Sequence, residues 1–291
     1  MPRITLLGHL SPEGGFNDGI EVWQEDTTQG HLLIRKTFRR ADVPDHALRE
    51  VRLLVQLAAC PFIVRKYSAT ITHTSGELFM ECCGKGTLKA LIREHRHRAS
   101  KIPEPFVWYV FYSLVEAVHY MQYGPSGDAR GWNWIYHRDL HPGNVFITGR
   151  RDSGLHVVLG DFGSAVSSTW GDGARVRMQA VDFGIPERLM NCTSDLYQIG
   201  LNIVAMCRLT FRPLAFVRPA RGGRERLVAG AEYSDALNGL VGRCLRTKPE
   251  ERISVKALRA ALYREAFENK RASRYDHREL LLFPSMRIYE R

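Results

Sequence analysis

The 291-residue sequence predicts an α+β protein in which a small β-rich part precedes a larger helical part. Short apolar runs of strand length dominate the first eighty residues, with a single helical pattern among them. After the turn-forming segment 84–86 the apolar spacing becomes helical. We expect the two parts to join near residues 81–84, and a cleft between two such units is a common ligand site.

The β-rich part contains one predicted helix, Pro44 to Ala59, and several predicted strands. Apolar residues recur at helical spacing and are expected to share one buried face with Glu50 beside it: Leu48, Val51, Leu54, Val55 and Ala58. The predicted strands are His31 to Lys36, Phe62 to Thr72 and Glu77 to Cys82.

The helical part contains a long apolar helix, Glu104 to Tyr123, which should be its central element. Two further helices are predicted at Leu88 to His97 and Ser194 to Leu209, and a short apolar strand at Leu155 to Leu159. A glycine-rich insert, Gly124 to Trp134, separates the long helix from the segments that carry the chemistry described below.

Composition and charge narrow the function classes. The formal net charge of +10 is compatible with a generally basic surface or with a basic cleft that attracts anions. No nucleic-acid motif accompanies the short basic segments, and no apolar run has the roughly 18 residues that span a bilayer. Because the six cysteines lack zinc-site or disulfide spacing, and the first residues lack a signal peptide's apolar core, we expect reduced thiols in an intracellular protein.

Three polar residues in two loops point to phosphoryl transfer. Asp139 and Asn144 are five residues apart in a loop containing Pro and Gly, so both can point into one site. Asp161 follows the predicted strand and supplies a second possible cation ligand. Phosphoryl transfer needs a carboxylate near the attacking hydroxyl and oxygen ligands for the cation that neutralises the phosphates.

These loops resemble two motifs of protein kinases. The run His137 to Asn144 resembles the catalytic loop H-R-D-L-x-x-x-N, and Asp161 to Gly163 matches D-F-G. The resemblance implies a bilobal protein-kinase-like fold that uses ATP with Mg²⁺ or Mn²⁺. It implies that Asp139 orients or deprotonates the substrate hydroxyl, and that Asn144 and Asp161 hold the metal.

The rest of the chain extends the resemblance over roughly residues 5 to 265. Lys36 occupies the position of the lysine in V-A-I-K, and Glu50 in the next helix is its implied partner. Ile185 to Glu187 stands where A-P-E would, Asp195 would brace the catalytic loop, and Arg252 would pair with Glu187.

The resemblance also assigns residues to the nucleotide. Lys36 and Glu50 would position its phosphates, Met80 would be the gatekeeper, and the backbones of Glu81 and Cys83 would contact the adenine edge. The other residues implied to bind ATP are Gly14, Gly15 and Phe16 of the glycine-rich loop, Ile20 or Val22 above the adenine, Ile34, Phe146 and Asp161.

Two positions depart from the Ser/Thr kinase pattern. His141 stands where a lysine neutralises the transferred phosphate, and a neutral His donates one hydrogen bond without a full charge. Ala180 stands where a threonine contacts the catalytic Asp. Both changes should slow transfer, although His141 remains part of the implied catalytic set. The glycine-rich loop carries an extra residue and an acidic Asp18.

We therefore expect a kinase that phosphorylates protein Ser/Thr, and two alternatives stay open. One is a pseudokinase scaffold, which the departures above favour. The other is a small-molecule phosphotransferase, because D-L-H-P-G-N is shared with aminoglycoside- and choline-kinase-like enzymes. The expected organisation is one domain over 1–291: an N-lobe (1–83), a C-lobe (84–265) and a tail (266–291) that packs on the C-lobe or acts as a docking segment. The loop 14–19 and the insert 124–134 resemble a divergent branch of kinase-domain proteins associated with fungi.

Overall fold

The computed structural model describes residues 3–10, 17–26, 30–39, 46–150, 154–170, 180–217, 227–269, 271 and 280. The N-terminal part is a five-stranded antiparallel sheet in the order β1-β2-β3-β5-β4. Its strands are β1 (Ile4–Leu10), β2 (Asn17–Glu25), β3 (Leu32–Phe38), β4 (Lys66–Ile71) and β5 (Gly76–Glu81). The strand predicted over Phe62 to Thr72 is shorter in the structure, because Phe62 and the residues after it form a connection rather than pairing in the sheet.

Helix α1 (Leu48–Gln56) lies between β3 and β4 and is shorter than the predicted Pro44 to Ala59; residues 41–45 lie outside the described part. Its predicted buried face was right for Leu54 but wrong for Leu48 and Val55, which are 36% and 57% exposed. The buried residues are Glu50, Leu53 and Leu54, with Leu57 directly after the helix. These residues have the same helical spacing but are rotated around the axis, and the rotation brings Glu50 towards β3.

The C-terminal part is helical. Its helices are α2 (Leu88–His97), α3 (Glu104–Tyr123), α4 (Ser194–Cys207), α5 (Leu214–Val217), α6 (Asp235–Cys244) and α7 (Val255–Tyr263), which continues as a π-helical turn, Arg264–Glu268. The bounds of α2 and α3 are those predicted, and α4 ends two residues early. Thr87, Ser234 and Ser254 cap α2, α6 and α7, because each side-chain oxygen accepts a hydrogen bond from the third residue of its helix.

Helix α3 is the central element of this part. It packs against α4, α7 and the strand Gly154–Leu159, and apolar residues are buried on most of its circumference. It ends at Gly124, which has φ +70°, and a Cβ there would stand 2.6 Å from the Trp132 ring. Trp132 donates from Nε1 to the carbonyl of Met121 at 3.0 Å, so the insert folds back on the end of α3. In the part of the chain that the structure describes, no helix combines the length and apolar composition of a membrane span.

Two small antiparallel strand pairs follow α3 in the chain. Strands β7 (Val145–Arg150) and β8 (Gly154–Leu159) pair, as do β6 (Ile135–Tyr136) and β9 (Val166–Ser167). The amide of Val64 donates to the carbonyl of Leu159 at 2.9 Å, and the amide of Lys85 donates to the carbonyl of Ile147 at 3.1 Å. One apolar core runs through both parts. These contacts place the segment that follows β5 against β7 and leave a cleft between the sheet and the helices. The α+β class and the two-part architecture are as predicted.

All six cysteines are free thiols. Burial raises the pKa of the Cys60 and Cys244 thiols to about 12 and that of Cys82 to about 11. They are therefore protonated near neutral pH, because the thiolate is the form that burial disfavours.

Candidate active site

A cavity of about 280 Å³ lies in the cleft between the sheet and the helical part. One end is mainly apolar and the other carries charged and amide groups. The predicted residues that line it are Ile20, Ile34, Lys36, Glu50, Met80, Glu81, Cys83, Asn144, Phe146 and Asp161. The strand register explains the sheet side, because Ile34 pairs with Met80 and Lys36 pairs with Ile20. Pairing and alternation put these four side chains on one face.

The lining also contains residues that sequence reasoning missed. Leu10 at the end of β1 and Val64 after α1 add to the apolar end. Leu10 is the last apolar residue before the glycine-rich loop, a signal that could have identified it. Val22, the alternative to Ile20, is fully buried and is not among the lining residues. Gly14, Gly15 and Phe16 lie outside the described residues.

Lys36 is the centre of an ion cluster at the polar end of the cavity. Its Nζ donates to both carboxylate oxygens of Glu50, at 3.0 and 2.9 Å, and to Oδ1 of Asp161 at 3.0 Å. Burial alone favours the neutral amine, but the nearby carboxylates of Asp161 and Glu50 outweigh it and raise the pKa of Lys36. The Lys36 charge in turn lowers the pKa of Asp161. The cluster keeps one fixed cation and an ionised Asp161 in the cleft.

The loop between β6 and β7 holds Asp139, His141 and Asn144 close together. Asn144 donates from Nδ2 to the backbone carbonyl of Asp139 at 2.9 Å, which leaves its amide oxygen as the atom able to bind a cation. Burial, reinforced by the charge of Asp161, raises the pKa of Asp139 to about 6. The amide of Gly143 donates to Nδ1 of His141 at 3.0 Å. The ring proton is therefore on Nε2, which lies 3.8 Å from Oδ2 of Asp139.

His137 and Phe162 support the two loops from inside. His137 is fully buried and donates from Nε2 to the carbonyl of Gly160 at 3.1 Å, and its ring packs edge-on against Phe162 at 4.8 Å. Burial lowers the pKa of His137 to about 4, so the ring is neutral. Arg138 and Asp161 have φ of +71° and +58°. This conformation costs a non-glycine residue about 1 kcal/mol or more, and it persists here because the surrounding contacts hold both motifs in place.

Polar residues of α4 brace the catalytic loop. The carboxylate of Asp195 accepts hydrogen bonds from the amides of His137 and Arg138 at 2.9 and 3.0 Å. Gln198 accepts from the amide of Leu140 at 3.1 Å, and Asn202 donates to the carbonyl of Leu140 at 3.0 Å. Sequence reasoning found Asp195 and missed the other two. Their spacing at i, i+3 and i+7 of an otherwise apolar helix is the signal that could have found them.

Glu187 and Arg252 form a buried ion pair beneath this region. Two parallel contacts of 2.6 Å join the guanidinium to the carboxylate, and Ser194 donates to the same carboxylate at 2.6 Å. The Arg252 side chain is fully buried and stacks over the Tyr197 ring at 4.8 Å. The predicted pair is thus present and links the segment before α4 to the segment before α7.

Ala180, the position at which the kinase pattern has a threonine, lies directly before the short 3-10 turn Val181–Phe183.

The residues of the cleft fit ATP and a divalent cation. The apolar end matches a planar base, and the backbone of residues 81–83 borders it. At the other end, Lys36 supplies a cation for phosphate oxygens, while Asp161 and Asn144 offer a carboxylate and an amide oxygen. Oxygen ligands of this kind suit Mg²⁺, which is commonly held by one or two protein groups together with substrate phosphates.

The known proteins to which this chain is similar are protein kinases, in agreement with the geometry of the cleft. The family model described as protein kinase domain matches residues 27–263. Serine/threonine-protein kinase Nek2 of Homo sapiens is 30% identical over 221 residues, which cover 72% of this chain and 47% of that protein. The G2-specific protein kinase nimA of Emericella nidulans is 27% identical over 220 residues, covering 66% of this chain and 31% of that protein.

A third relative, the probable serine/threonine-protein kinase zyg-1 of Caenorhabditis elegans, is 24% identical over 240 residues, covering 80% of this chain and 32% of that protein. The chain spans about half the length of Nek2 and about a third of the length of the other two. The family match confirms the resemblance to protein kinases that the two loops, 137–144 and 161–163, indicated. With 27–263 matched and the cleft built as described, the chain belongs to the protein kinase domain family.

Proposed function

We propose that this protein transfers the γ-phosphoryl group of ATP to a Ser or Thr hydroxyl of a protein, with Mg²⁺ as the cation and Mn²⁺ as a possible substitute. The observation that carries the proposal is the convergence of Lys36, Asp161 and Asn144 on one cleft, with Asp139 next to it and hydrogen-bonded to Asn144 through its backbone carbonyl. The names of Nek2 and zyg-1 describe them as serine/threonine-protein kinases, which supports this acceptor class.

In this proposal each group has one task. Lys36, held by Glu50, binds α- and β-phosphate oxygens, and Asp161 and Asn144 hold the cation. A divalent cation held by these two side chains would neutralise phosphate charge. The hydroxyl oxygen of the acceptor forms a bond to the γ-phosphorus, and Asp139 accepts the proton of that hydroxyl. At the same time the bond between the γ-phosphorus and the oxygen that remains on ADP breaks. His141 holds its Nε2–H group 3.8 Å from Oδ2 of Asp139 without adding a full charge. Positioning and charge neutralisation provide most of the rate acceleration.

The nucleotide base occupies the apolar end of the cleft. Ile20, Ile34 and Phe146 pack on it, Met80 limits its depth, and the backbones of Glu81 and Cys83 bond its edge. Gly14, Gly15 and Phe16 are proposed to cover the phosphates. We propose the boundaries 1–83, 84–265 and 266–291 for the N-lobe, C-lobe and tail. An intracellular location follows from the supply of ATP and from the free thiols.

The test is the variant Asp139→Asn, which keeps the shape of the side chain and removes the base. We expect transfer from labelled ATP to generic protein acceptors, and to the protein itself, to fall at least about 100-fold. Nucleotide affinity measured by calorimetry should stay within about twofold. Equal activity in the variant would remove Asp139 from the reaction. Nucleotide binding by the wild type without any labelled product would favour the pseudokinase, and turnover restricted to small alcohols would favour a small-molecule phosphotransferase.

A further inference from the structure

Helix α1, which carries Glu50, contacts the helical part of the chain at two points. Gln56, its last residue, donates from Nε2 to the backbone carbonyl of Asn133 at 2.7 Å. Arg49, in its first turn, places the guanidinium over the Trp170 ring, 5.1 Å from the ring centroid. Residues seven apart share one face of a helix and lie about 10.5 Å apart along its axis. The two contacts therefore hold one face of α1 near both of its ends.

Glu50 lies between these two contacts and faces the cleft. Its carboxylate is buried and accepts both hydrogen bonds from Lys36, at 3.0 and 2.9 Å. A Cβ on Gly163 would stand 3.4 Å from Oε2 of Glu50, so the carboxylate also lies close to the loop of Asp161. Because Glu50 moves with the helix, an outward displacement of α1 would lengthen the Lys36–Glu50 bonds. Lys36 would then lose the group that orients it.

The carbonyl of Asn133 belongs to the glycine-rich insert 124–134, which packs against the end of α3. The ring of Trp132 lies edge-on to Tyr120 with 5.6 Å between the ring centroids, and its Nε1 donates to the carbonyl of Met121 at 3.0 Å. These contacts fix the insert on the central helix. The acceptor for the end of α1 is therefore held in place by the C-terminal core.

Trp170 lies in the segment that follows the Asp161 loop. Its amide donates to the carbonyl of Ser167 at 3.0 Å, and the amide of Ser168 donates to the carbonyl of Trp134 at 3.0 Å. Strand β9 pairs with β6, which begins directly after the insert. Both contact points of α1 thus belong to one hydrogen-bonded unit.

We propose that Gln56 and Arg49 are positioning residues that hold α1 on this unit with Glu50 paired to Lys36. The inference rests on the proposed kinase function and assigns further residues to it. In a displaced position of α1 the Lys36–Glu50 bonds are broken, and the apparent affinity for ATP falls with the fraction of molecules in the paired position. Since neither Gln56 nor Arg49 is among the residues that line the cavity, each acts through Glu50.

The first test is Gln56→Glu, which keeps the size of the side chain and replaces the donor with a carboxylate that the Asn133 carbonyl repels. We expect kcat/KM for ATP, measured with Mg²⁺ and a generic protein acceptor, to fall about threefold to tenfold, because a hydrogen bond of this kind shifts an equilibrium by that factor. The calorimetric Kd for ATP with Mg²⁺ should rise by the same factor. Gln56→Lys keeps a donor and should stay within about twofold of the wild type.

The second test is Arg49→Ala, which removes the contact with the Trp170 ring. We expect kcat/KM for ATP to fall about twofold to fivefold, as for loss of an exposed cation–π contact. Arg49→Lys keeps a cation over the ring and should retain most of the wild-type value. Arg52→Ala is the matched control, because Arg52 is an exposed cation on the same helix. It should leave kcat/KM unchanged.

A Glu50→Gln background separates positioning from general stabilisation of the fold. If Gln56 acts through the Lys36–Glu50 pair, its contact has no further effect once that pair is weakened. Adding Gln56→Glu to Glu50→Gln should therefore change kcat/KM and Kd for ATP by less than about twofold. A merely structural role would lower both by the same factor with and without Glu50.

The outcomes separate this inference from the function on which it rests. Wild-type kcat/KM and Kd in Gln56→Glu, or an equal fall in both backgrounds, would overturn the inference and leave the kinase proposal standing. If the wild type transferred no phosphate, the proposed function would be overturned. The series of Kd values would then still decide whether the contacts of α1 control the nucleotide site, and a wild type that binds no ATP would overturn both.

Discussion

The neighbours of His141 determine which of its two ring nitrogens carries the proton. The Gly143 amide occupies Nδ1, so Nε2 carries the proton and faces Asp139. Burial and the charge of Lys89 lower the pKa of His141, which keeps the ring neutral near pH 7. Asp139 therefore faces a neutral N–H group 3.8 Å away where the Ser/Thr kinase pattern has a full charge, and burial together with Asp161 raises its pKa to about 6.

The variant His141→Lys should change the pH dependence of the reaction. Asp139 must be ionised to accept a proton, so kcat/KM of the wild type should fall as pH drops through about 6. A lysine ammonium near Asp139 favours the carboxylate and lowers its pKa, so the acidic limb should move to lower pH by about one unit. Rate profiles between pH 4.5 and 8.5 measure the shift. His141→Gln, which adds no charge, should keep its limb near pH 6; a lysine variant with the same limb would contradict the assignment of Asp139 as base.

At the scale of elements, α4 organises the catalytic loop. Asp195, Gln198 and Asn202 lie on one side of the helix and together bond five backbone groups of that loop. The segment before α4 is in turn anchored by the pair of Glu187 and Arg252. The geometry around Asp139 thus depends on packing between elements that are far apart in the chain.

Breaking the Glu187–Arg252 pair should destabilise the fold. Arg252→Met removes a fully buried guanidinium and leaves Glu187 without its partner, so the free energy of unfolding should fall by about 3 kcal/mol. Urea denaturation followed by fluorescence measures this change. Arg259→Met is the control, since its bond to Glu116 is half exposed and should contribute less than about 1 kcal/mol.

The double variant Glu187→Gln/Arg252→Met should recover part of the lost stability, because no unpaired carboxylate remains. A loss in Arg252→Met no larger than in the control would show that the pair does not anchor this segment.

At the scale of the whole molecule, the cleft takes residues from both lobes. Lys36 and Met80 come from the sheet, while Asn144, Phe146 and Asp161 come from the C-terminal part. The Lys36–Asp161 bond joins residues 125 positions apart and is a direct polar link across the cleft. A ligand that contacts both walls should therefore stabilise the two lobes together.

ATP with Mg²⁺ should raise the melting temperature of the protein. At 100 times Kd the added stability is about 2.7 kcal/mol if the unfolded chain does not bind. Differential scanning calorimetry measures the shift, and removal of the metal with a chelator should reduce it, because phosphate charge then faces Asp161 without a cation. Lys36→Ala should need more ATP for the same shift. An unchanged melting temperature at millimolar ATP and Mg²⁺ would contradict nucleotide binding in this cleft.

Much of the site was predictable because most of its polar side chains belong to short sequence motifs. Asp139, His141 and Asn144 lie within six residues, and Asp161 and Lys36 each follow or end a strand that apolar patterning predicts. The helix bounds of α2 and α3 were also predictable, since apolar spacing marks their extent and a threonine cap or a terminal glycine marks a boundary. Periodicity located α1 but placed only part of its buried face correctly, because spacing alone does not set rotation about the helix axis.

By itself, the sequence determined the α+β class, the family and the polar groups of the cleft, because periodicity and motif spacing are local properties of the chain. Only the tertiary structure decided which distant residues meet: Leu10 and Val64 at the apolar end, Gln198 and Asn202 behind the loop, and Lys89 beside Gly143. These contacts depend on how whole elements pack, and a leucine, glutamine or lysine has the same local pattern whether it faces a site or solvent.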